Sequence, residues 1–380
     1  MHYLIFILII PIIAAVMLRI WTHRLTWQFF SRPTHLPSAG CEPVSILVPV
    51  RGLDQQAEAN YRSYCEQEYG ATHEVIFALE EEDDPAAAVI EALAASYPPE
   101  SVRLIISRDA EGIGKIRNQI AAARQCRHDL WILVDSDVRL PPDFLHTQAI
   151  RLLSEKGVGL AYAAPCPTGS EDWVAALHNL SVCNSILTYG SAAMRGNLNA
   201  AVGSCILTRR DVIAAIGGLE RLANRVVGLD VALGRAVVEA GYKIELLPQP
   251  ARIHHARDRF MRFWWQSHRW LATINLAVPG IWIAILMLGL PLWWALAFVG
   301  LAVANSNHQV IGLSLVILVL LMDVVSAAVI NLRLARDAKL WKFLWVALLQ
   351  QLFLLPNLVL AVTMKKVQWR GRWLSLNASA

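Results

Sequence analysis

Two carboxylates one residue apart are the first candidates for chemistry in the sequence. Asp135 and Asp137 flank Ser136 and directly follow the apolar run Leu130–Val134. Carboxylate oxygens at this spacing can hold a hard divalent cation, and such a cation could bridge a diphosphate and neutralise charge on a leaving group. The alternative is a surface turn, in which aspartate serves the turn geometry. The buried strand before the pair favours the cation site.

A run of five carboxylates, Glu80 to Asp84, follows a second apolar segment. Such a run is usually a solvated loop or a helix start, and Asp83 or Asp84 before Pro85 fits an N-terminal cap. A functional role needs only one or two of the five carboxylates. The pattern alone does not say which.

Two further candidates lie at predicted helix starts. The glycines of Gly112–Asn118 let the backbone approach a phosphate, and a helix start favours anions, although the spacing is not that of a Walker loop or a dinucleotide fingerprint. Asp230 follows Gly228 and Leu229 and precedes a helical stretch. It is either a helix cap or a general base that takes a proton from a hydroxyl group.

Gln266, Arg269 and Trp270 share one helix face, because they are spaced i, i+3 and i+4. The surrounding segment Arg257–Ala272 mixes four arginines with aromatic residues, which predicts an amphipathic helix at a membrane surface. This helix serves either as an anchor alone or also presents an arginine to a diphosphate. His254 and His255 are adjacent and lack a third ligand at suitable spacing, so we interpret them as structural rather than zinc-binding.

The elements that position these residues are strands alternating with helical segments. Short apolar strands are predicted at Val44–Val50, Glu74–Leu79, Arg103–Ile106 and Leu130–Val134. The alternation predicts a mainly parallel α/β sheet with flanking helices. Ligands of such sheets bind beyond the carboxyl ends of the strands, where both acidic clusters fall.

The composition separates a soluble part from apolar ends. Of the 380 residues, 56% are hydrophobic and 17% are charged, against about 25% charged in an average soluble chain. The net charge of +4 comes without a basic stripe, so no nucleic-acid partner is expected. The six cysteines are scattered, which fits a reducing compartment.

The apolar ends predict membrane-spanning helices. Tyr3–Leu18 precedes basic residues, which favours a retained anchor over a signal peptide and places the following domain in the cytoplasm. Three more spans are expected at Gly280–Ala302, Val310–Leu332 and Phe343–Met364. The loops on both sides of the last span are basic, and it contains Gln350, Gln351, Pro356 and Asn357. We therefore expect a re-entrant or broken helix that does not cross fully.

The ordered set of motifs resembles the glycosyltransferase family 2 superfamily, and within it the ceramide glucosyltransferase group, family 21. The resemblance rests on VSILVPVRGLD, EEEDDPA, GIGKIRNQ, VDSDVR, VGSCILTRRDVIAAIGGL, the Asp230 helix, QSHRW and the terminal WRGRW. It implies a GT-A fold with α-helical transmembrane segments. The domains expected are an anchor at 1–20, a cytoplasmic GT-A domain at 40–256, an interfacial helix at 257–273 and a transmembrane region at 278–380.

The resemblance also implies an activity and roles. It implies an inverting transfer from a UDP-sugar, with UDP-glucose the expected donor, to a ceramide-like lipid hydroxyl at a bacterial inner membrane or its equivalent. Asp135 and Asp137 would hold Mg2+ or Mn2+ and the diphosphate, Lys115 would lie near the nucleotide, and Asp230 would be the base. The QxxRW motif, which closes on the donor, matches Gln266, Arg269 and Trp270.

The chain departs from the family pattern at two positions. Glu81 aligns with the first nucleotide-contacting carboxylate, which is usually Asp, and Leu229 stands where an acidic residue usually precedes the base. Alternative functions are transfer to a hopanoid or a polyprenyl phosphate, a processive polysaccharide synthase, and a non-catalytic membrane scaffold. Three or so spans are few for a polymer channel, which disfavours the synthase.

Overall fold

The computed structural model of the chain describes residues 4–32, 41–149, 157–224, 228–304, 308–369 and 372–376. Predictions that involve residues 1–3, 40, 227, 305–307, 370–371 or 377–380 lie outside the described residues. The chain divides into two compact units. The helical unit comprises Met1–Gln28, Thr168–Ser191 and His255–Asn377, and the sheet unit comprises Phe29–Pro167, Ala192–His254 and Ala378–Ala380.

The strands are β1 (Val44–Pro49), β2 (His73–Leu79), β3 (Val102–Ile106), β4 (Leu130–Val134), β5 (Val138–Arg139), β6 (Val158–Ala163), β7 (Pro165–Thr168), β8 (Cys205–Arg209), β9 (Lys243–Leu246), β10 (Ala251–His254), β11 (Lys366–Trp369) and β12 (Arg372–Ser375). The α-helices are α1 (Ile9–Phe30), α2 (Ala57–Cys65), α3 (Ala86–Ala94), α4 (Lys115–Gln125), α5 (Trp173–Met194), α6 (Arg210–Ala215), α7 (Leu229–Glu239), α8 (Phe260–Ala277), α9 (Ile281–Leu288), α10 (Pro291–Ala304), α11 (Gln309–Ile330) and α12 (Ala347–Thr363). Short 3-10 or π-helices lie at Leu4–Leu8, Leu145–Ala149, Leu219–Leu222, Asn331–Ala335 and Leu340–Val346.

The large sheet of the sheet unit has the strand order β3-β2-β1-β4-β8-β6-β9. Strands β3, β2, β1 and β4 pair in parallel, which confirms the predicted strands and the mainly parallel sheet. β1 and β4 are buried along their whole length, as expected of apolar strands covered by helices on both faces. Their carboxyl ends meet at one edge.

The antiparallel strand β8 brings a distant loop to this edge. β8 pairs with β4, with Cys205 opposite Val134. The amide of Asp135 donates a hydrogen bond to the carbonyl of Ser204 (2.9 Å). The residues just before β8 therefore lie beside the carboxyl end of β4.

Aromatic residues support the edge from inside the core. Tyr61 and Tyr64 of α2 are fully buried and pack with Phe77 of β2. The Tyr64 hydroxyl lies 2.9 Å from the carbonyl of Asp135 and 2.5 Å from that of Val138. It can donate to either oxygen, so this turn is held from the core side.

The helical unit contains helices of membrane-spanning length. Within the described residues, three helices are long and apolar enough to cross a membrane, Phe6–Phe30, Gln309–Ala335 and Leu340–Thr363. These helices indicate a membrane protein. The predicted span Gly280–Ala302 is a pair of helices, α9 and α10, bent by 58°, which together are long and apolar enough for one broken span or a re-entrant loop. Pro291 causes the break, because it has no amide hydrogen and disfavours the helical conformation at Leu290.

The last apolar helix is continuous. α12 runs through Pro356 without interruption, so it is not a broken helix. A re-entrant helix that does not cross fully remains the prediction for this segment. Its polar residue Gln351 donates to Asp323 of α11 (2.5 Å), and Arg19 of α1 lies 3.6 Å from the same carboxylate. Ionisable groups among apolar helices are costly unless paired, and this pairing connects three helices.

Candidate active site

Lys115 and Asp135 form an ion pair at the carboxyl edge of the parallel strands. Lys115 Nζ lies 2.5 Å from Asp135 Oδ1, and the side chains are 27% and 34% exposed. Asp135 directly follows β4, and Lys115 is the first residue of α4. The same Nζ donates a hydrogen bond to the carbonyl of Gly203 (2.9 Å). The predicted nucleotide-binding lysine and the first predicted metal ligand thus lie together.

Asp230 joins this group through the peptide of Gly203. The amide of Gly203 donates to Asp230 Oδ2 (2.7 Å), so one residue links Asp230 and Lys115. Asp230 stands in the first turn of α7, after Gly228 with a φ of 67°. A Cβ at Gly234 of α7 would lie 2.6 Å from the amide nitrogen of Ala201. Only a glycine at 234 lets α7 approach the loop leading to Gly203 so closely.

Asp137 is the second carboxylate of the pair and lies deeper. Burial, and after it the negative charges of Asp135 and Asp54, raise the pKa of Asp137 to about 7. Its buried Oδ1 has no hydrogen-bond partner among the described residues. Ser136 donates to Asp54 Oδ2 (2.6 Å). Clustered carboxylates with an unpaired buried oxygen fit a hard divalent cation with oxygen ligands.

In the acidic run after β2, Glu80 and Asp84 accept hydrogen bonds from backbone amides, whereas Glu81 faces solvent. Glu80 Oε1 accepts a hydrogen bond from the amide of Gly114 (2.6 Å), which fixes the residue before Lys115. Asp84 accepts from the amides of Gly52 (2.8 Å) and of Ala86 (2.9 Å), the first residue of α3. Glu81 is exposed, and its contact with the donor stays a prediction.

Asp54, Glu80 and Gly203 are site residues to which sequence reasoning gave no role. Asp54 lies in the quoted motif VRGLD, and its carboxylate after a strand-ending glycine was an available signal. The sequence could not distinguish the role of Glu80 from those of the four acidic residues that follow it. Gly203 acts through its backbone, so its side-chain type carried no chemical signal.

Gln266, Arg269 and Trp270 lie on α8 in the helical unit. All three side chains are half-buried. The ring of Trp270 meets the ring of His178 edge-on, with centroids 5.5 Å apart. Their approach to the donor stays a prediction.

Comparison with known structures gives the class of fold. A mannosyltransferase from Pyrobaculum calidifontis, solved in complex with GDP-Man and Mn2+, matches with a TM-score of 0.54 and 14% sequence identity, covering 93% of this chain and 99% of that chain. This likeness and the mostly parallel sheet show a GT-A-type glycosyltransferase fold, as the sequence predicted.

The family follows from the sequence comparison. The model of glycosyl transferase family 21 matches residues 4–379, so the chain belongs to that family. Ceramide glucosyltransferase 3 of Caenorhabditis elegans is 23% identical over 242 residues, covering 63% of this chain and 52% of that protein. The ceramide glucosyltransferase of Komagataella phaffii is 32% identical over 117 residues, covering 29% of this chain and 23% of that protein. The chain spans about half the length of the curated Caenorhabditis relatives it matches.

Proposed function

We propose that the chain transfers a sugar from a UDP-sugar, with UDP-glucose the expected donor, to the hydroxyl of a ceramide-like lipid. The observation that carries the proposal is the peptide of Gly203, hydrogen-bonded on one side to Lys115 and on the other to Asp230. Lys115 is in turn paired with Asp135. The positively charged Lys115, the candidate metal ligand Asp135 and the candidate base Asp230 thus lie together in a chain of family 21.

Asp230 is the general base in this proposal. Its Oδ2 is held by the amide of Gly203 (2.7 Å), which fixes the orientation of the carboxylate. The other oxygen, Oδ1, is the one that takes the proton from the acceptor hydroxyl. The deprotonated hydroxyl attacks the anomeric carbon in one in-line displacement, which inverts that carbon.

Lys115, Asp135 and Asp137 act on the donor diphosphate. Asp135 and Asp137 would hold Mg2+ or Mn2+, which when bound neutralises charge on the departing UDP. Lys115 Nζ supplies a further positive charge at the same edge. Gln266, Arg269 and Trp270 close on the donor from α8, and Glu81 contacts the nucleotide.

In this proposal, the acceptor and the donor meet on the cytoplasmic side of the membrane. α8 lies along the membrane surface, because it combines arginines with aromatic residues. α12 packs on it through Phe353 and Phe260, with ring centroids 5.1 Å apart. The β11–β12 hairpin also meets it, with Trp373 4.9 Å from Trp265. These contacts support the proposal that the residues after α12 lie on the same side as α8 and that α12 does not cross fully.

The test is transfer by the purified chain in lipid nanodiscs. A panel of UDP-sugars is combined separately with ceramide, a hopanoid and a polyprenyl phosphate, and products are identified by mass spectrometry. We expect one hexose added to ceramide, with inverted anomeric configuration by NMR. Transfer only to another lipid would overturn the acceptor, and a long polymer would overturn single transfer. No product and no binding of UDP with Mn2+ would overturn the enzyme assignment.

A further inference from the structure

Three side chains that are far apart in sequence meet at a second, independent cluster in the helical unit. They are His178 of α5, His255 just after β10, and Asp258 just before α8. One ligand atom of each lies within 4.8 Å of the others. The side chains are 8%, 12% and 0% exposed, respectively. The cluster is therefore enclosed rather than a solvated surface group.

The hydrogen bonds of Asn179 fix the protonation of His255. Asn179 Nδ2 donates to the carbonyl of His255 and to Ser170 Oγ (both 3.0 Å). Its Oδ1 therefore faces His255 Nδ1 (2.8 Å) and accepts its hydrogen. Ser170 is itself anchored, because its hydroxyl donates to Asp337 (2.9 Å). In neutral His255 the lone pair is then on Nε2.

That lone pair faces a carboxylate. His255 Nε2 lies 3.6 Å from Asp258 Oδ2 and has no hydrogen-bond partner among the described residues. The same Oδ2 lies 2.7 Å from His178 Nδ1. The other oxygen, Oδ1, accepts from the amide of Arg259 (2.8 Å) and faces Arg262 Nε (3.9 Å). Oδ2 is therefore the oxygen of Asp258 that can bind a ligand together with the rings of His178 and His255.

Two nitrogen atoms and a carboxylate oxygen within 4.8 Å of one another can form a ligand set for a transition metal. Zn2+ binds imidazole nitrogen and carboxylate oxygen at about 2.0–2.2 Å in tetrahedral geometry, so its ligand atoms lie roughly 3–3.5 Å apart. The distances from Asp258 Oδ2 to His178 Nδ1 and to His255 Nε2, 2.7 Å and 3.6 Å, fall close to this range. A metal-bound histidine commonly donates its other ring N–H to a polar oxygen, as His255 does to Asn179.

We propose that His178, His255 and Asp258 bind one Zn2+-class ion, distinct from the Mg2+ or Mn2+ expected at Asp135 and Asp137. A water molecule completes the coordination. The interpretation of His255 as merely structural is revised, since the missing ligands come from 77 residues earlier and three residues later. Imidazole ligands favour Zn2+ over Mg2+, so the two sites differ in metal preference.

The ion would position α8. His178 Nδ1 and Asp258 Oδ2 join α5 to the residues immediately before α8. The ring of His178 also packs edge-on against Trp270 of the QxxRW motif, 5.5 Å away. Binding of the ion would hold this ring, and with it the position of Trp270. The proposal goes beyond sugar transfer, and its test does not depend on activity.

The experiment measures metal in the purified full chain by inductively coupled plasma mass spectrometry, after dialysis against Zn2+ and then against metal-free buffer. We expect one zinc per chain in the wild type. His178→Gln, His255→Gln and Asp258→Asn should each retain less than about a tenth as much, because affinity falls steeply when one of three protein ligands is lost. His254→Gln is the matched control, since it alters the adjacent histidine outside the cluster, and it should retain wild-type zinc.

A second measurement covers the case in which a variant fails to fold. Co2+ is added to metal-free wild-type protein, and the visible absorption spectrum is recorded with and without competing Zn2+. A tetrahedral Co2+ spectrum that Zn2+ abolishes supports the site, and it should persist in Asp137→Asn. Wild-type protein that retains no zinc and gives no such spectrum would overturn the proposal. Equal zinc in wild type and the three variants would do the same.

Discussion

Replacing Gly203 by alanine perturbs the site selectively, because this glycine lies between two side chains with proposed roles. A Cβ at this position would lie 3.1 Å from Lys115 Nζ, 3.2 Å from Asp230 Cβ and 3.3 Å from Asp230 Oδ2. Non-bonded heavy atoms are comfortable at about 3.5–4.0 Å, so both side chains must retreat by a few tenths of an ångström. Gly203 does not have a positive φ, so the backbone itself tolerates alanine.

The size of the effect follows from this displacement. A misplacement of about 1 Å in a catalytic constellation can cost about 10²-fold in rate. A shift of less than half that size predicts a loss of about 10-fold in kcat/KM, or about 1.4 kcal/mol of transition-state stabilisation. The thermal midpoint should change little, because the added methyl group meets the side chains of Lys115 and Asp230 and no residue of the buried core.

The assay is the initial rate of UDP-sugar consumption in nanodiscs, with acceptor lipid present. Gly300→Ala is the control, because a Cβ there meets nothing within 4 Å, and it should keep wild-type kinetics. A Gly203→Ala enzyme with wild-type kcat/KM would refute the claim that Lys115 and Asp230 act from these positions. Loss of activity together with a large drop in thermal midpoint would refute the claim that the effect is local.

Three further predictions test separate parts of the structure. Asp135→Ala should abolish the part of UDP binding that depends on Mn2+, as measured by calorimetry. If the variant gives the same binding heats as the wild type, with and without Mn2+, this carboxylate is not a metal ligand. Glu74→Gln should lower the free energy of unfolding by about 3 kcal/mol, because it leaves partly buried Arg103 (2.6 Å away) without its charge partner; a change under about 0.5 kcal/mol would contradict this. Burial raises the pKa of Glu74, but hydrogen bonds from the Arg127 amide, Ser45 and Arg103 outweigh it and lower the pKa below its ordinary 4.5. Its stabilisation is therefore complete above that pH and is lost as pH falls through the lowered pKa, so the difference in thermal midpoint should shrink on acidification. Ser375→Cys, in a background without native cysteines, should react with an impermeant maleimide only in inside-out vesicles, and labelling from outside would mean that α12 crosses the membrane.

The strands, and several residues of the candidate site, could be proposed from the sequence because their signals are local. The apolar runs of β1 and β4 need only their own residues to be recognised, and Asp135 and Asp137 follow directly from β4. Asp230 and Lys115 stand at helix starts, where capping and anion binding leave a pattern. The sheet order then brings them together.

The parts that could not be predicted depend on contacts between distant segments. Gly203 is placed by the antiparallel pairing of β8 with β4 and acts through its backbone. The bend before Pro291 was missed because the apolar composition continues through it, whereas Pro356, which drew attention, lies inside a continuous helix. The cluster at His255 needed His178, which chain spacing does not bring near it.

The central claim is that Asp230 is the base of a site built around Gly203, and the most direct measurement is single-turnover transfer by Asp230→Asn. The amide keeps the shape of the side chain, and its oxygen can still accept from Gly203, but it cannot take a proton. We expect the rate of sugar transfer to fall about 10²–10⁴-fold, with the calorimetric affinity for UDP and Mn2+ unchanged. A near-normal rate, or loss of UDP binding as large as the loss of rate, would contradict the assignment.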